Sequence, residues 1–349
     1  MLKNLKFKEL ARQYIAKYNL NLEGYNVLVP AIAKEPVLPG IIAGMAGADT
    51  IYVYDESLDI NKSCQPLPGE HNFTLKLIGS VSHEVLNSVN IVVKNSKMPL
   101  KDDKLGSMVK KDAVVAMLPD DLDFTNARGI NLQACQEKNI NIIGLNPEDE
   151  GLSLYKHFGQ QIIKRCHKLG LDVCSSKILL IGNGSLLDAT LSLLKACGAI
   201  VYVYNTGVLS DQSHVLKHLK GLDAIVVMDY PLSKKQIIGI KGIVPIPDII
   251  DSCPLVKIIH IAGKIETGAL KLGNIAYSPE NAEQDSLSLE FSELGERGLT
   301  EIITASLKAS EEFLENRKNG GKNTLNFNSP VITYKQLGSK IDLLLGGKV

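Results

Sequence analysis

The stretch Lys177-Ile-Leu-Leu-Ile-Gly-Asn-Gly-Ser-Leu-Leu-Asp188, running on to Ala196-Cys-Gly-Ala-Ile-Val-Tyr-Val-Tyr-Asn205, decides the fold. Ile178 to Ile181 is an unbroken apolar run, the pattern of a strand buried on both faces. Gly182-Asn183-Gly184 turns the chain sharply, and Leu186 to Ala196 has its apolar residues at helical spacing. Gly198 closes that helix, and Ile200 to Tyr204 is a second β-rich run. Strand, glycine turn, helix and strand in this order open a nucleotide-binding sheet.

The turn carries two of the three glycines of G-x-G-x-x-G. Gly182 and Gly184 fill the first two places and Leu187 the third. In such a loop the first-turn amides of the helix face a pyrophosphate, so Gly182, Asn183, Gly184 and Ser185 are candidate cofactor-binding residues. The acidic residue that ends the second strand and holds the ribose is here Asn205, followed by Thr206. No arginine follows to receive a 2′-phosphate, so NAD is favoured over NADP. A competing reading lies in the same residues. Ser185-Leu-Leu-Asp188 fits a capping box, whose side chains would occupy the amides that phosphate needs.

Working outward, the spacing of Leu5, Leu10, Ala11, Tyr14, Ile15 and Tyr18 predicts a leading helix over 2–18. Asn26 to Ala31 and Thr50 to Tyr54 read as strands, with a helix after Pro39 whose Gly40, Gly44 and Ala48 form a small face for packing on a sheet. Met45-Ala-Gly-Ala-Asp-Thr-Ile-Tyr-Val-Tyr-Asp55 echoes 196–205, so the chain holds two similar α/β units. Strands are expected over 90–93, 113–118 and 140–145, with a helix over 131–137 and an irregular stretch over 56–75. Leu152, Tyr155, Phe158, Ile162, Cys166 and Leu169 mark a long helix between the units, and 299–314 a second that returns the chain to the first. Further strands are expected over 224–228, 242–245, 257–261 and 274–277, and a final helix over 337–345.

The composition narrows the function. Lysine plus arginine equals aspartate plus glutamate at 38 each, so no net field attracts nucleic acid or anionic lipid. No apolar run is long enough to span a bilayer. The six cysteines lack a CxxC pair and read as reduced thiols of a cytoplasmic protein; the seven dispersed histidines predict no metal site. Three side chains at or near strand ends could carry chemistry: Lys94 could bind a substrate carboxylate, His260 could move a proton, and Lys264 follows it in the same loop. Each also has a plainer reading, as a solvated lysine or a hydrogen-bonded core histidine. Lys34-Glu35, Asp229-Tyr230 and Pro119-Asp120-Asp121 are further strand-end candidates.

Two segments carry a family resemblance. Ile91-Val-Val-Lys-Asn-Ser-Lys-Met-Pro-Leu, followed by 113–118, resembles the K-V-K-E-P segment and next strand of alanine dehydrogenases. Ile258-Ile-His-Ile-Ala-Gly-Lys, then Gly268-Ala-Leu-Lys and Gly273-Asn-Ile-Ala, is similar in shape to the I-N-x-x-R-G…A-L…G-x-I segment of D-2-hydroxyacid dehydrogenases. The layout over most of 25–315 resembles the NAD-dependent superfamily of these enzymes, which includes formate dehydrogenases and adenosylhomocysteine hydrolase. The resemblance implies an α/β fold of two parallel-sheet domains joined by two long crossover helices. A flavodoxin-like domain would comprise 1–150 and 298–349, and a Rossmann domain 151–297. It also implies that Lys94 is the substrate-binding lysine and that the family's catalytic arginine falls near Gly263 or Lys264. The family's histidine of the next strand falls near Pro119, where there is none, and its later catalytic histidine has no match after His260.

The leading expectation is an NAD(P)-dependent oxidoreductase acting on a small polar metabolite in an interdomain cleft, with homodimers possible and no nucleic-acid or membrane partner. A second is a non-catalytic or accessory member of the fold that binds a metabolite or a protein. A third is an enzyme of nucleoside or S-adenosyl ligands, with Asp55 on the ribose.

Overall fold

A computed structural model describes residues 2–32, 36–58, 65–66, 73–95, 98, 110, 113–118, 141–145, 151–207, 212–230, 235–280, 282, 288, 293–319 and 331–333. The chain divides into two compact units, one of Met1–Leu152 with Leu294–Val349 and one of Ser153–Glu293.

In the first unit the elements in chain order are α1 (Leu2–Tyr18), β1 (Asn26–Pro30), α2 (Leu38–Met45), β2 (Thr50–Tyr54), β3 (Gln65–Pro66), β4 (Thr74–Ile78), α3 (His83–Ser88), β5 (Ile91–Lys94), β6 (Val114–Met117) and β7 (Asn141–Leu145). The strands form one sheet in the order β16-β7-β6-β5-β1-β2-β4-β3, where β16 is Val331–Thr333. The parallel strands run β4-β2-β1-β5-β6-β7, which by chain position is the 3-2-1-4-5-6 order of a Rossmann sheet and not the flavodoxin-like order expected for this unit, and β3 and β16 are antiparallel edges. The stretch expected to be irregular thus contains β3 and the start of β4. The small face of α2 lies on the sheet as expected: a Cβ on Gly40 would sit 2.7 Å from Val53 Cγ2 and 2.9 Å from Leu75 Cδ1.

The second unit opens with α4 (Leu154–Lys168), then β8 (Lys177–Gly182), α5 (Gly184–Ala196), β9 (Ile200–Asn205), α6 (Gln212–Leu216) and β10 (Ala224–Met228). It continues with β11 (Gln236–Gly239), β12 (Val244–Pro245), α7 (Ile246–Ser252), β13 (Lys257–Ala262), β14 (Lys264–Ile265), α8 (Thr267–Leu272) and β15 (Tyr277–Ser278). The parallel order β15-β13-β10-β8-β9 reverses direction between β8 and β10. A small second sheet, β12-β11-β14, packs into the same core through Ile237, Ile238, Val244 and Ile265. The chain then returns to the first unit as α9 (Glu296–Lys318), where Leu299 to Leu307 are all buried. No helix among the described residues is long and apolar enough to cross a membrane. Lys34-Glu35, Pro119-Asp120-Asp121 and the helices expected over 131–137 and 337–345 lie outside the described residues.

Candidate functional site

The reversal between β8 and β10 brings three chain segments to the carboxyl edge of the second unit's sheet. Open α/β sheets bind ligands at such points because the loops on either side diverge and leave a crevice. Gly182 pairs with Met228 across β8 and β10, and a Cβ on it would fall 2.2 Å from the Met228 carbonyl oxygen. Only glycine allows β8 to run this close to its neighbour. Gly184 is exposed and adopts φ +70°, where a side chain is strained.

The expected capping box is corrected here. Asn183, not Ser185, stands at the cap of α5, with Ser185 one residue into the helix, and Asn183 makes no side-chain cap hydrogen bond. Its side chain turns the other way. Asn183 Nδ2 donates to Thr206 Oγ1 at 2.9 Å and to Asp229 Oδ1 at 3.1 Å, and Thr206 Oγ1 donates to the same Asp229 oxygen at 2.5 Å. The three residues follow β8, β9 and β10 in turn, so the ring ties together the strand ends around the switch point. Asp229 is fully buried and Thr206 is nearly so.

Asn205 ends β9, as the ribose-binding position requires. Its Oδ1 accepts from the Gly207 amide at 2.9 Å, which closes a turn at the strand end. Lys235 Nζ lies 3.4 Å from the Thr206 carbonyl, bringing a cation to this end. Asp55, the equivalent in the first unit, accepts from Ser57 N at 2.9 Å and Ser57 Oγ at 2.7 Å.

The geometry tests the fit of a dinucleotide. The glycine turn and the cap without a side-chain bond suit a pyrophosphate, because no cap side chain occupies the first-turn amides. Leu187, in the third glycine's place, is buried rather than directed at the crevice. Asn205 brings an amide where a carboxylate would accept from both ribose hydroxyls, so a ribose there would be held less strongly.

His260 sits within β13, opposite Val227 of β10, and is fully buried. Its Nε2 lies 2.7 Å from the Gly263 carbonyl, which can only accept, so that nitrogen carries the proton. Nδ1, 2.8 Å from Ser288 Oγ, therefore accepts. Burial pushes its pKa down to about 4; the Gly263 bond opposes the shift and the Arg165 charge adds to it. The ring is thus a neutral core histidine with both nitrogens engaged.

This makes stability pH-dependent. Because the folded pKa lies below the unfolded one, the unfolded state binds more protons between about pH 6.5 and 4. The neutral ring's contribution is complete above pH 6.5 and falls as the solution is acidified, by about 3 kcal/mol for this group. Unfolding by urea at stepped pH should show that loss in the wild type and a shallower slope in His260→Gln. Equal slopes would contradict the assignment.

Arg165, on α4, was not singled out from the sequence. Its Nε donates to Glu293 Oε2 at 2.8 Å and its Nη1 to the His260 carbonyl at 2.7 Å, while Nη2 donates to the Ser288 carbonyl. The signal was present: Arg165 falls on the same helical face as Phe158, Ile162 and Cys166, all buried.

Lys264 is half-buried on β14, and its carbonyl accepts from Gln236 Nε2 at 3.3 Å. Gly263, one of the two positions near which the resemblance places the family's arginine, has φ +110°, and a Cβ there would meet Asp229 Cβ at 2.9 Å. That position cannot hold a side chain without displacing Asp229. Lys94 belongs to the first unit, at the end of β5 next to that sheet's own reversal between β1 and β5. It is fully buried, and Nζ donates to the Asn95 carbonyl at 3.1 Å. No cluster of potential metal ligands occurs among the described residues.

These features define a two-unit α/β protein with a nucleotide-type loop at a sheet switch point. No family description and no curated protein matches the chain. Solved structures do. The dipicolinate synthase A chain of Bacillus subtilis superposes with TM-score 0.55 at 13% identity, over 86% of this chain and 99% of that one. The pyruvate reductase of Chlamydomonas reinhardtii gives 0.54 at 11%, over 88% and 99%. The D-lactate dehydrogenase of Escherichia coli gives 0.50 at 13%, over 85% and 98%. The protein shares the fold of these structures, and at these identities the likeness is one of fold.

Proposed function

We propose that the second unit binds a nicotinamide dinucleotide and that the protein is an NAD(P)-dependent oxidoreductase of a small polar metabolite. The observation that carries this is the Gly182–Gly184 turn at the switch point, with α5 left without a side-chain cap. Residues 206–216 contain no lysine or arginine, which favours NAD; Lys235 is the cation that makes NADP worth testing beside it. The fold neighbours include a pyruvate reductase and a D-lactate dehydrogenase, which supports a redox cofactor of this class. When bound, the cofactor supplies the hydride chemistry. Lys94 is proposed to hold a substrate carboxylate, as a cation at the carboxyl end of β5 beside the reversal of the first unit's sheet. Lys264 is proposed as a second polarising cation.

His260 enters this proposal as a framework residue, because its buried ring has both nitrogens engaged. That observation also favours a second reading, in which the protein binds the dinucleotide or a metabolite without turning it over.

Gly184→Val tests the cofactor site. At φ +70° a β-branched residue is strained, and its methyls would stand where the phosphates approach the loop. NAD affinity by calorimetry should drop at least tenfold while the far-ultraviolet circular dichroism stays native. Unchanged affinity would remove the loop from the binding site. Hydride transfer across a panel of 2-oxo and 2-hydroxy acids separates the two readings: turnover supports the oxidoreductase, and binding without turnover the second reading.

A further inference from the structure

We propose that Asp229 is the positioning residue of the nucleotide loop, acting by holding Asn183 off the helix that Asn183 would otherwise cap. The inference rests on the dinucleotide reading and adds to it how the amides are kept open.

Asparagine is among the strongest helix caps, because its side-chain oxygen accepts from the second or third amide of the helix. Asn183 occupies the cap of a helix of 13 residues and makes no such bond. A side chain with that preference needs a competing interaction to give up the cap. The structure supplies one. Both amide hydrogens of Asn183 are committed, one to Thr206 Oγ1 and one to Asp229 Oδ1. The Thr206 hydroxyl donates to the same carboxylate oxygen, so Asp229 anchors both partners. Asp229 is itself fixed: it is fully buried, its amide donates to the Ala262 carbonyl at 3.0 Å, and its Cβ lies against Gly263, where a larger residue would collide. Two hydrogen bonds, one of them to a fully buried acceptor, outweigh a single cap bond, since a buried polar group left unpaired pays its full desolvation cost.

The consequence is specific to this chain. Without Asp229, Asn183 is released to swing onto the first-turn amides and compete with an incoming phosphate. The ring therefore acts through Asn183 and does not itself touch the ligand.

The experiment is a double-mutant cycle read by NADH binding, followed through NADH's own fluorescence; the chain has no tryptophan to interfere. Asp229→Ala should weaken NADH about tenfold. Asp229→Asn, which keeps the acceptor oxygen, should stay within about twofold of wild type. In an Asn183→Gly background, where no side chain can cap, Asp229→Ala should cost almost nothing. Thr206→Val, which removes one of the two acceptors on Asn183, repeats the test should Asp229→Ala fail to fold, with an expected loss of a few-fold that Asn183→Gly again suppresses. Wild-type affinity in Asp229→Ala, or an equal loss in both backgrounds, overturns the positioning role and leaves the dinucleotide reading standing. Absence of nicotinamide binding by the wild type overturns both.

Discussion

Arg165→Ala should destabilise the second unit by about 3 kcal/mol, because two carbonyls lose their donor at about 1–3 kcal/mol each. The guanidinium is fully buried and binds three groups that have no access to its charge otherwise: the Glu293 carboxylate, the His260 carbonyl and the Ser288 carbonyl. Its planar fork reaches all three directions at once, which an ammonium cannot. Glu293 is partly buried, which raises its carboxyl pKa, but Lys168 and Arg165 outweigh that and hold it below the usual range. Lys168 remains in the variant, so Glu293 is not stranded; the lost stability comes mainly from the two carbonyls and the cavity. Urea unfolding of Arg165→Ala and Arg165→Lys should rank both below wild type, with lysine recovering part of the loss. A change below about 1 kcal/mol in the alanine variant would mean that water replaces the guanidinium at little cost.

Gly182→Ala is the second large effect. Its Cβ would lie 2.2 Å from the Met228 oxygen and 2.7 Å from the Met228 carbonyl carbon. These are backbone atoms of the adjoining strand, so relief requires β8 and β10 to part at the reversal. Overpacking of this kind costs about 1–3 kcal/mol where side chains can yield, and this site has backbone instead. Both the melting temperature and nicotinamide affinity should fall together. Gly184→Val should lose affinity with the fold kept, and the contrast separates a glycine needed for packing from one needed at the ligand.

Much of the fold was legible because its strands are buried on both faces. Ile178–Ile181, Ala224–Met228 and Ile91–Val93 are apolar runs that no amphipathic helix would contain, and all are strands. β4 was missed because Thr74–Ile78 is interrupted by Lys76, whose ammonium in fact lies over the Tyr52 ring of the neighbouring strand. The short α3 and β11 carry too few residues for a periodic signal.

The site was legible in part, and the limit is physical. Ser185–Asp188 matched a local capping pattern, but the cap is decided by Asp229, 46 residues from Asn183 along the chain. Asp229 itself was noticed only as a strand-end carboxylate, since nothing local says that it meets Thr206 and Asn183. For His260 the residue type and strand were readable, while the full burial that leaves it neutral and the ring's partners Ser288 and Gly263 were not. Lys94 was readable as a strand-end cation, though charge alone argued for exposure and the sheet buries it.

Thermal unfolding of the purified wild type with NAD, NADH, NADP, NADPH and S-adenosylmethionine tests the central claim most directly. A ligand at a hundred times its dissociation constant adds about 2.7 kcal/mol to the folded state, a readily measured rise in melting temperature. The account predicts that rise with a nicotinamide dinucleotide, larger for NAD or NADH than for the phosphorylated forms, and none with S-adenosylmethionine. An unchanged melting temperature with all four nicotinamides would contradict it.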